Sequence, residues 1–297
     1  MPFLESTDGT EIYYNDWGSG TPVVLIHGWP FNCDMWEKQT NFLAQNGLRV
    51  VTYDRRGFGR SEQTWTGYDY DTLAADLNAV MSELDLTGAT LVGFSMGGGE
   101  VVRYLGSYGK GRVNKAVLIS AVTPFLLKTP DNPEGLEEKV FDDIEANLLK
   151  DRQGFLHQFA PQFYGRSALN HTVSESVLEW SRTMAYTGSL RSILQTAEAW
   201  AATDFRDDLR QIDIPVRVIH GTSDATVPID ASGRRSAKLI SNATLTEYDG
   251  EPHGLFVTAA DRLNQELLEF ITGTRIAIVE PADEAILPIG TYSTTFG

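Results

Sequence analysis

Residues 89–98 read Ala-Thr-Leu-Val-Gly-Phe-Ser-Met-Gly-Gly, and this stretch decides how the rest of the sequence is interpreted. The apolar run at 89–92 is typical of a strand buried on both faces of a parallel sheet. A helical pattern follows at roughly 98–108, so Gly93–Gly97 forms a G-x-S-x-G turn between a strand and a helix. Because such a turn has no room for neighbouring side chains, its glycines relieve the crowding around Ser95. The stretch predicts a serine presented at the top of a sheet.

A glycine-rich turn at the start of a helix can instead bind a phosphate group. No lysine or aspartate partner for a nucleotide follows these glycines, which disfavours a phosphate site. The preceding buried strand and the following helix favour a nucleophile at Ser95.

The same alternation of strand and helix patterns continues outward from this turn. Asp8-Gly9 predicts a hairpin between Phe3–Ser6 and Ile12–Trp17. An amphipathic helical stripe lies at 72–84. Further strand-like apolar runs lie at 22–26, 49–53, 115–119, 214–219 and 243–248. This order predicts an α/β fold with a mostly parallel, doubly wound sheet.

The alternation stops at Pro124. Between there and about Arg210 the patterns are helical, with segments at 173–185 and 189–202 and with apolar residues every fourth position at Leu136, Val140, Ile144 and Leu148. We therefore predict one catalytic domain, residues 1–123 and 211–273, interrupted by a helical cap at 124–210. An independent helical domain is disfavoured, because the C-terminal strands would then lack the rest of their sheet. The tail at 274–297 fits neither part, and its structure is not predicted.

The composition restricts the class of partner. The 297 residues include 40 acidic and 24 basic side chains, a formal charge of −16, which argues against nucleic acid or an anionic membrane. A single cysteine, Cys33, forbids an internal disulfide, and no Cys/His cluster has zinc-ligand spacing. The N-terminus lacks a signal-peptide pattern, and no apolar stretch approaches the ~20 residues of a membrane helix. We expect a cytoplasmic protein, and a homo-oligomer is compatible with the sequence.

A serine nucleophile needs a base, and the base needs an orienting acid. His253 lies in the polar loop that follows the last strand, where it can reach Ser95. Asp224 follows the strand ending at Ile219, which gives the chain order Ser, Asp, His. Asp249 is the competing acid, but its place at a strand end is typical of a turn former. His220, at the end of another strand, is interpreted as a buried structural histidine.

An oxyanion hole needs two backbone N–H donors. The residue after the nucleophile, Met96, is expected to supply one of them. The second is expected from Trp29 in the loop His27-Gly28-Trp29-Pro30, since Gly28 permits close approach and Pro30 has no N–H.

Read together, these residues resemble the α/β hydrolases, and closely one branch of them, the cofactor-free haloperoxidases (non-haem chloroperoxidases) and their arylesterase relatives. His-Gly and G-x-S-x-G alone mark only the superfamily, whereas 54–61 (DRRGFGRS) combined with 93–99 (GFSMGGG) is far more specific. The resemblance extends over residues 8 to about 272. The stretches that carry it are 16–20, 27–30, 53–61, 91–99, 122–124 and 252–254.

The resemblance implies hydrolysis of small carboxylic esters through an acyl-serine, without a metal, haem or other cofactor. It also implies that hydrogen peroxide can replace water as the second nucleophile and convert a small ester or carboxylic acid into a peracid. Pro30 stands where a proline is typical of the perhydrolases. The substrate pocket that the resemblance implies consists of Trp29, Pro30, Val122, Phe125, Phe159, Phe163, Thr226 and Ile229.

Other functions share these residue types. Lactonases, amidases and carbon–carbon bond hydrolases of the same fold also use a serine, and a ligand-binding receptor could retain the fold. For Phe159 and Phe163, four residues apart, lining a pocket and packing the cap are about equally supported. Asp54 and the neighbouring arginines, Arg55 and Arg56, are expected to hold loops in place and not to react.

Overall fold

The structure, a computed structural model, describes residues 2–274. Within that range the strands form a single eight-stranded sheet. The strands are β1 (Phe3–Glu5), β2 (Glu11–Gly18), β3 (Pro22–Ile26), β4 (Arg49–Tyr53), β5 (Ala89–Phe94), β6 (Val113–Ile119), β7 (Val216–Gly221) and β8 (Ala243–Tyr248). The predicted tail, apart from Thr274, lies outside the described residues.

Helices connect most of these strands, and a short 3-10 helix at Cys33–Trp36 precedes the first α-helix. The helices are α1 (Glu37–Gln45), α2 (Tyr70–Glu83), α3 (Met96–Ser107), α4 (Glu138–Phe163), α5 (Glu175–Tyr186), α6 (Leu190–Ala202), α7 (Arg206–Gln211), α8 (Gly233–Leu239), α9 (Leu255–Thr258) and α10 (Ala260–Thr272). No helix among the described residues is long and apolar enough to cross a membrane.

The sheet has the order β1-β2-β4-β3-β5-β6-β7-β8, with antiparallel pairing at β1-β2 and β2-β4 and parallel pairing beyond. The predicted hairpin is confirmed by the pairing of Phe3 with Tyr13. The six residues of β5 are all buried, as a strand covered by helices on both faces requires. Since the carboxyl ends of parallel strands meet at one edge, the loops after β3, β5, β7 and β8 converge there.

The segment between β6 and β7 contains α4, α5, α6 and α7. Helix α4 has a break at Asp151, whose side chain accepts a hydrogen bond of 2.9 Å from the Gly154 amide and so caps the second half. Leu136 was predicted to belong to the helical stripe, but it lies before α4, where its amide donates to the Leu126 carbonyl at 2.7 Å. The assignment of 124–210 as a cap domain stays a prediction.

Candidate active site

Ser95 stands between β5 and α3 with φ +53° and ψ −118°, a conformation that costs a side-chain-bearing residue about 1–3 kcal/mol. Its amide donates to the Ile119 carbonyl at 2.9 Å. A Cβ on Gly93 would lie 2.4 Å from the Gly97 carbonyl oxygen, and one on Gly97 would lie 2.5 Å from the Ile26 carbonyl oxygen. Both glycines are therefore required by close backbone approach, and they hold Ser95 in this strained position.

The three predicted catalytic residues meet at the carboxyl edge of the sheet. The Ser95 Oγ atom lies 3.0 Å from His253 Nε2, and His253 Nδ1 lies 2.6 Å from Asp224 Oδ2. All three side chains are nearly buried, and Ser95, at 5% exposure, opens onto a cavity. These contacts have the order nucleophile, base and orienting acid that acyl transfer requires.

The Asp224 carboxylate is held at both oxygens. Its Oδ1 atom accepts hydrogen bonds from the amides of Thr226 at 2.9 Å and Val227 at 2.8 Å, while Oδ2 faces His253. Burial acts to raise the pKa of this carboxyl, but the nearby His253 and His220 and the hydrogen bonds outweigh burial, so the pKa lies well below its ordinary value. Asp224 is therefore a carboxylate at neutral pH.

The competing acid, Asp249, and the histidine after β3, His27, do not contact the triad. Asp249 is exposed, and its carboxylate accepts a hydrogen bond from the Thr222 hydroxyl at 3.2 Å, as expected of a turn residue. His27 is fully buried, and burial together with the Arg55 guanidinium lowers its pKa to about 3. Its Nε2 atom accepts from the Arg55 amide at 2.9 Å. His220 is buried as predicted, but it lies beside Asp224 and is treated below.

One predicted oxyanion donor, Met96, directly follows Ser95, and the other, Trp29, lines the cavity onto which Ser95 opens. Met96 is the first residue of α3, and Trp29 follows Gly28, where a Cβ would lie 2.6 Å from the Phe94 ring. Within the described residues, neither the Trp29 amide nor the Met96 amide has a hydrogen-bond acceptor. The Trp29 indole Nε1 donates to the Ile193 carbonyl at 3.0 Å, which fixes the Trp29 side chain against α6. Both amides are therefore available as donors, and their assignment as an oxyanion hole stays a prediction.

A buried ion pair supports this edge of the sheet from below. Arg55 and Glu100 are both fully buried and pair at 2.7 Å, and burial raises the pKa of the Glu100 carboxyl. Arg55 also donates to the carbonyl of His27, the first residue of the predicted oxyanion loop, at 2.8 Å. Asp54 is similarly held by Arg60 at 2.7 Å and accepts from the Cys33 amide at 2.9 Å. In these positions the residues link loops, as the sequence predicted.

A cavity of about 230 Å³ opens onto Ser95 and His253. Four of the predicted pocket residues line it, namely Trp29, Val122, Phe159 and Thr226. Its walls are mainly apolar and aromatic, so it suits an uncharged small molecule.

The structure does not place the other four predicted pocket residues on the cavity wall. Pro30 is buried within a turn that is closed by the Phe31 amide donating to the Gly28 carbonyl at 3.1 Å. Phe125 packs under the Arg206 guanidinium, 5.5 Å from the ring centroid. Ile229 lies in the turn before α8, where its carbonyl accepts from the Arg234 amide at 3.1 Å.

Phe163, the fourth of these residues, packs beneath the site. Its ring centroid lies 4.9 Å from that of His253, in an edge-to-face arrangement. Phe159, one turn earlier on α4, faces the cavity. Of the two interpretations that the sequence supported equally, lining a pocket applies to Phe159 and packing applies to Phe163.

Sequence reasoning missed most of the cavity wall. The missed residues are Leu136, Val140, Phe141, Ile144, Phe155, Gln162, Trp200, Ala225 and Val227. Leu136, Val140 and Ile144 belong to the apolar repeat from which the sequence predicted only a helix. An apolar stripe in a segment inserted above a candidate nucleophile is the signal that could have found them.

Among the described residues, no group of three or more His, Cys, Asp or Glu side chains is arranged to hold a metal ion.

Comparison with known proteins agrees with this geometry. A family described as the alpha/beta hydrolase fold matches residues 21–260. A non-heme haloperoxidase from Rhodococcus erythropolis is 45% identical over 273 residues, 91% of this chain and 99% of that protein. A bifunctional esterase/perhydrolase from Acinetobacter calcoaceticus is 44% identical over 275 residues, again 91% of this chain and 99% of that protein.

Solved structures give the same result. The crystal structure of a bromoperoxidase from Bacillus anthracis superposes with a TM-score of 0.86 at 43% identity, covering 91% of this chain and 99% of that one. The sheet order, the buried strand-to-helix turn and the family match lead to one conclusion. The chain belongs to the α/β-hydrolase fold family.

Proposed function

We propose that this protein is a serine esterase that hydrolyses small carboxylic esters through an acyl-serine, and that hydrogen peroxide can replace water in the second step. The observation that carries the proposal is the continuous contact from Asp224 through His253 to Ser95, at 2.6 Å and 3.0 Å, facing an apolar cavity. The names of the relatives, a haloperoxidase and an esterase/perhydrolase, support the peroxide reaction.

In the first half-reaction, Ser95 Oγ attacks the ester carbonyl carbon while His253 Nε2 accepts the hydroxyl proton. The carbonyl oxygen becomes an oxyanion, which the free amides of Trp29 and Met96 stabilise. The bond to the alcohol oxygen then breaks, and His253 returns the proton to that oxygen. The products of this step are a free alcohol and an acyl group bound to Ser95. Asp224 stabilises the imidazolium that exists between the two proton transfers.

In the second half-reaction, His253 deprotonates the incoming nucleophile, which attacks the acyl carbon. Water gives a carboxylic acid and restores the Ser95 hydroxyl. Hydrogen peroxide restores the same hydroxyl and gives a peracid, in which the intact O–O bond is attached to the acyl carbon. The peracid can then oxidise a halide in solution, where the halide loses two electrons and the peracid is reduced to the carboxylic acid. No group of the enzyme is oxidised or reduced in these steps.

The cavity limits the acyl group. A volume of about 230 Å³ exceeds the ~150 Å³ apolar cavity that accepts benzene, but it lies below the ~300 Å³ at which drug-sized sites begin. An uncharged acyl group no larger than a substituted benzene therefore fits. A charged acyl group would lose its hydration against aromatic walls without a compensating ion pair.

The test is a parallel assay of one enzyme preparation. Initial rates are measured on p-nitrophenyl esters from acetate to decanoate, on a lactone and an anilide, and on acetate ester plus hydrogen peroxide. We expect multiple turnovers on the short esters, a fall at decanoate, and peracid formation when peroxide is present. The Ser95→Ala variant should lose all of these activities. A single slow release of nitrophenol would instead indicate a receptor, and a preference for the lactone or anilide would assign a different hydrolase reaction.

A further inference from the structure

His220 lies against the proposed triad, although the reaction steps above do not use it. It is the penultimate residue of β7, and its side chain is fully buried. Its Nε2 atom lies 2.9 Å from the Val227 carbonyl oxygen and 3.2 Å from Asp224 Oδ2. Both neighbours can only accept hydrogen bonds, so the proton of the ring belongs on Nε2.

The other ring nitrogen supports the same tautomer. Within the described residues, His220 Nδ1 has no hydrogen-bond partner, so a proton placed there would be buried without an acceptor. A Cβ on Gly233 would lie 2.6 Å from this Nδ1 atom, which means that the backbone at the start of α8 closes over the ring. The imidazole is therefore held with Nε2 directed toward the loop that carries Asp224.

The Val227 peptide connects the two residues. Its N–H donates to Asp224 Oδ1 at 2.8 Å, and its carbonyl accepts from His220 Nε2 at 2.9 Å. The peptide is thus fixed from both sides. Without His220 the Val227 carbonyl would lose its partner in a buried position, and the peptide that orients the carboxylate could rotate.

We propose that His220 is a positioning residue for the triad. Its Nε2–H group fixes the Val227 peptide and faces Asp224 Oδ2, so that the carboxylate keeps the orientation in which Oδ2 meets His253 Nδ1. His253 then retains the tautomer in which Nε2 accepts the Ser95 proton. The inference rests on the proposed esterase function, since it assigns His220 a part in that same reaction.

Two substitutions separate a donor role from a space-filling role. His220→Leu removes the N–H group, whereas the side-chain amide of His220→Gln can place an N–H near the position of Nε2. Because a misplacement of ~1 Å in a catalytic array can cost about 10² in rate, we expect His220→Leu to lower kcat for p-nitrophenyl acetate at least tenfold. KM should stay within twofold, and His220→Gln should recover kcat to within threefold of the wild type.

The matched control is His157→Leu, since His157 is an exposed histidine on α4. That variant should keep the wild-type kcat. A wild-type kcat in His220→Leu would overturn the proposal. Equal losses in His220→Leu and His220→Gln, with unchanged thermal unfolding temperatures, would also overturn it, because shape and not the donor would then matter.

A measurement on the wild-type protein keeps the proposal testable even where His220→Leu does not fold. Nitrogen-15 NMR of histidine-labelled protein reports which ring nitrogen carries the proton. We expect the Nε2–H tautomer at His220, and an Nδ1–H tautomer would refute the proposal. This readout does not depend on turnover, so a wild type that hydrolyses no ester would count against the proposed function alone.

Discussion

The substitution Asp224→Asn changes one atom of the proposed triad and has an outcome that the hydrogen bonds determine. The amides of Thr226 and Val227 donate to Oδ1 at 2.9 Å and 2.8 Å and can only donate, whereas the two imidazoles that face Oδ2 can change tautomer. The carbonyl oxygen of the new amide therefore occupies the Oδ1 side. Its NH₂ group then takes the place of Oδ2, facing His253 Nδ1 at the former 2.6 Å position. The new NH₂ group donates, so His253 Nδ1, which is the donor in the wild type, must become an acceptor.

This reversal forces the proton of His253 onto Nε2. The ring then donates toward Ser95 Oγ, from which it lies 3.0 Å, and cannot accept the serine proton. The same change in a serine protease lowers kcat by about 10⁴, which corresponds to roughly 5 kcal/mol at about 1.4 kcal/mol for each tenfold. We expect a loss of similar size here, because the contacts are equivalent and the side-chain volume is conserved.

The assay is kcat for p-nitrophenyl acetate at neutral pH, with circular dichroism to confirm the fold. Asp249→Asn is the matched control, since it makes the same chemical change on an exposed turn that contacts Thr222. The control should stay within twofold of the wild type. A loss below tenfold in Asp224→Asn would refute the assignment of Asp224 as the orienting acid, and a large loss in Asp249→Asn would shift the assignment to that residue.

Four further predictions concern packing, selectivity and pH. Phe163→Ala removes a 1%-exposed ring that contacts His253, so denaturant unfolding should show a loss of about 3–5 kcal/mol; an unchanged free energy of unfolding would contradict the packing described. Phe159→Ala enlarges the cavity, so the ratio of kcat/KM for hexanoate over acetate p-nitrophenyl esters should rise, and a constant ratio would show that Phe159 does not limit the acyl group. Pro30→Leu should lower perhydrolysis relative to hydrolysis, because the substitution alters the turn that directly follows the predicted oxyanion donor Trp29; an equal ratio in both proteins would exclude a role of Pro30 in the peroxide reaction. The pKa of Asp224 is lower in the folded chain than its ordinary value of 3.8, so the ionised carboxylate stabilises the fold above pH 3.8, and this stabilisation is lost as the pH falls below that value. The difference in unfolding free energy between the wild type and Asp224→Asn should therefore shrink below pH ~4. A difference that stays constant with pH would contradict this linkage.

The reacting residues could be predicted because local sequence restricts each of them. Gly93 and Gly97 identify the turn, because a side chain at either position would collide with neighbouring backbone atoms in the structure. Asp224 follows β7 and His253 follows β8, which pair in parallel, so both residues must emerge at the same edge as Ser95. Sheet topology therefore brings them together, however the helical segment between β6 and β7 is placed.

The cavity wall could not be predicted in the same way. It depends on how α4 and α6 lie over the sheet, and helical periodicity does not define that placement. The break at Asp151 lets Phe141 in the first half of α4 and Phe155 in the second line one cavity. Trp200 reaches the same space from α6 and contacts the Trp29 ring edge-to-face at 6.0 Å. These are tertiary contacts between distant segments, so the sequence pattern shows only that the residues are apolar.

His220 illustrates a different limit. A histidine at a strand end was interpreted as structural because burial was the only property that the sequence indicated. Its 3.2 Å distance to Asp224 Oδ2 depends on the turn that brings residue 224 back over β7, where the Asp224 amide donates to the Gly221 carbonyl at 3.3 Å. The sequence shows that His220 and Asp224 are four residues apart, but it does not show in which direction the chain turns between them.

The central claim is that Ser95 forms an acyl-enzyme, and mass spectrometry of the acid-quenched reaction tests it most directly. Wild-type protein is mixed with p-nitrophenyl acetate, quenched within the first turnovers, digested and sequenced by fragmentation. We predict one acetyl group on Ser95 in the wild-type protein and none at residue 95 in Ser95→Ala. Wild-type turnover with acetyl on another residue, or steady hydrolysis by Ser95→Ala at the wild-type rate, would contradict the account.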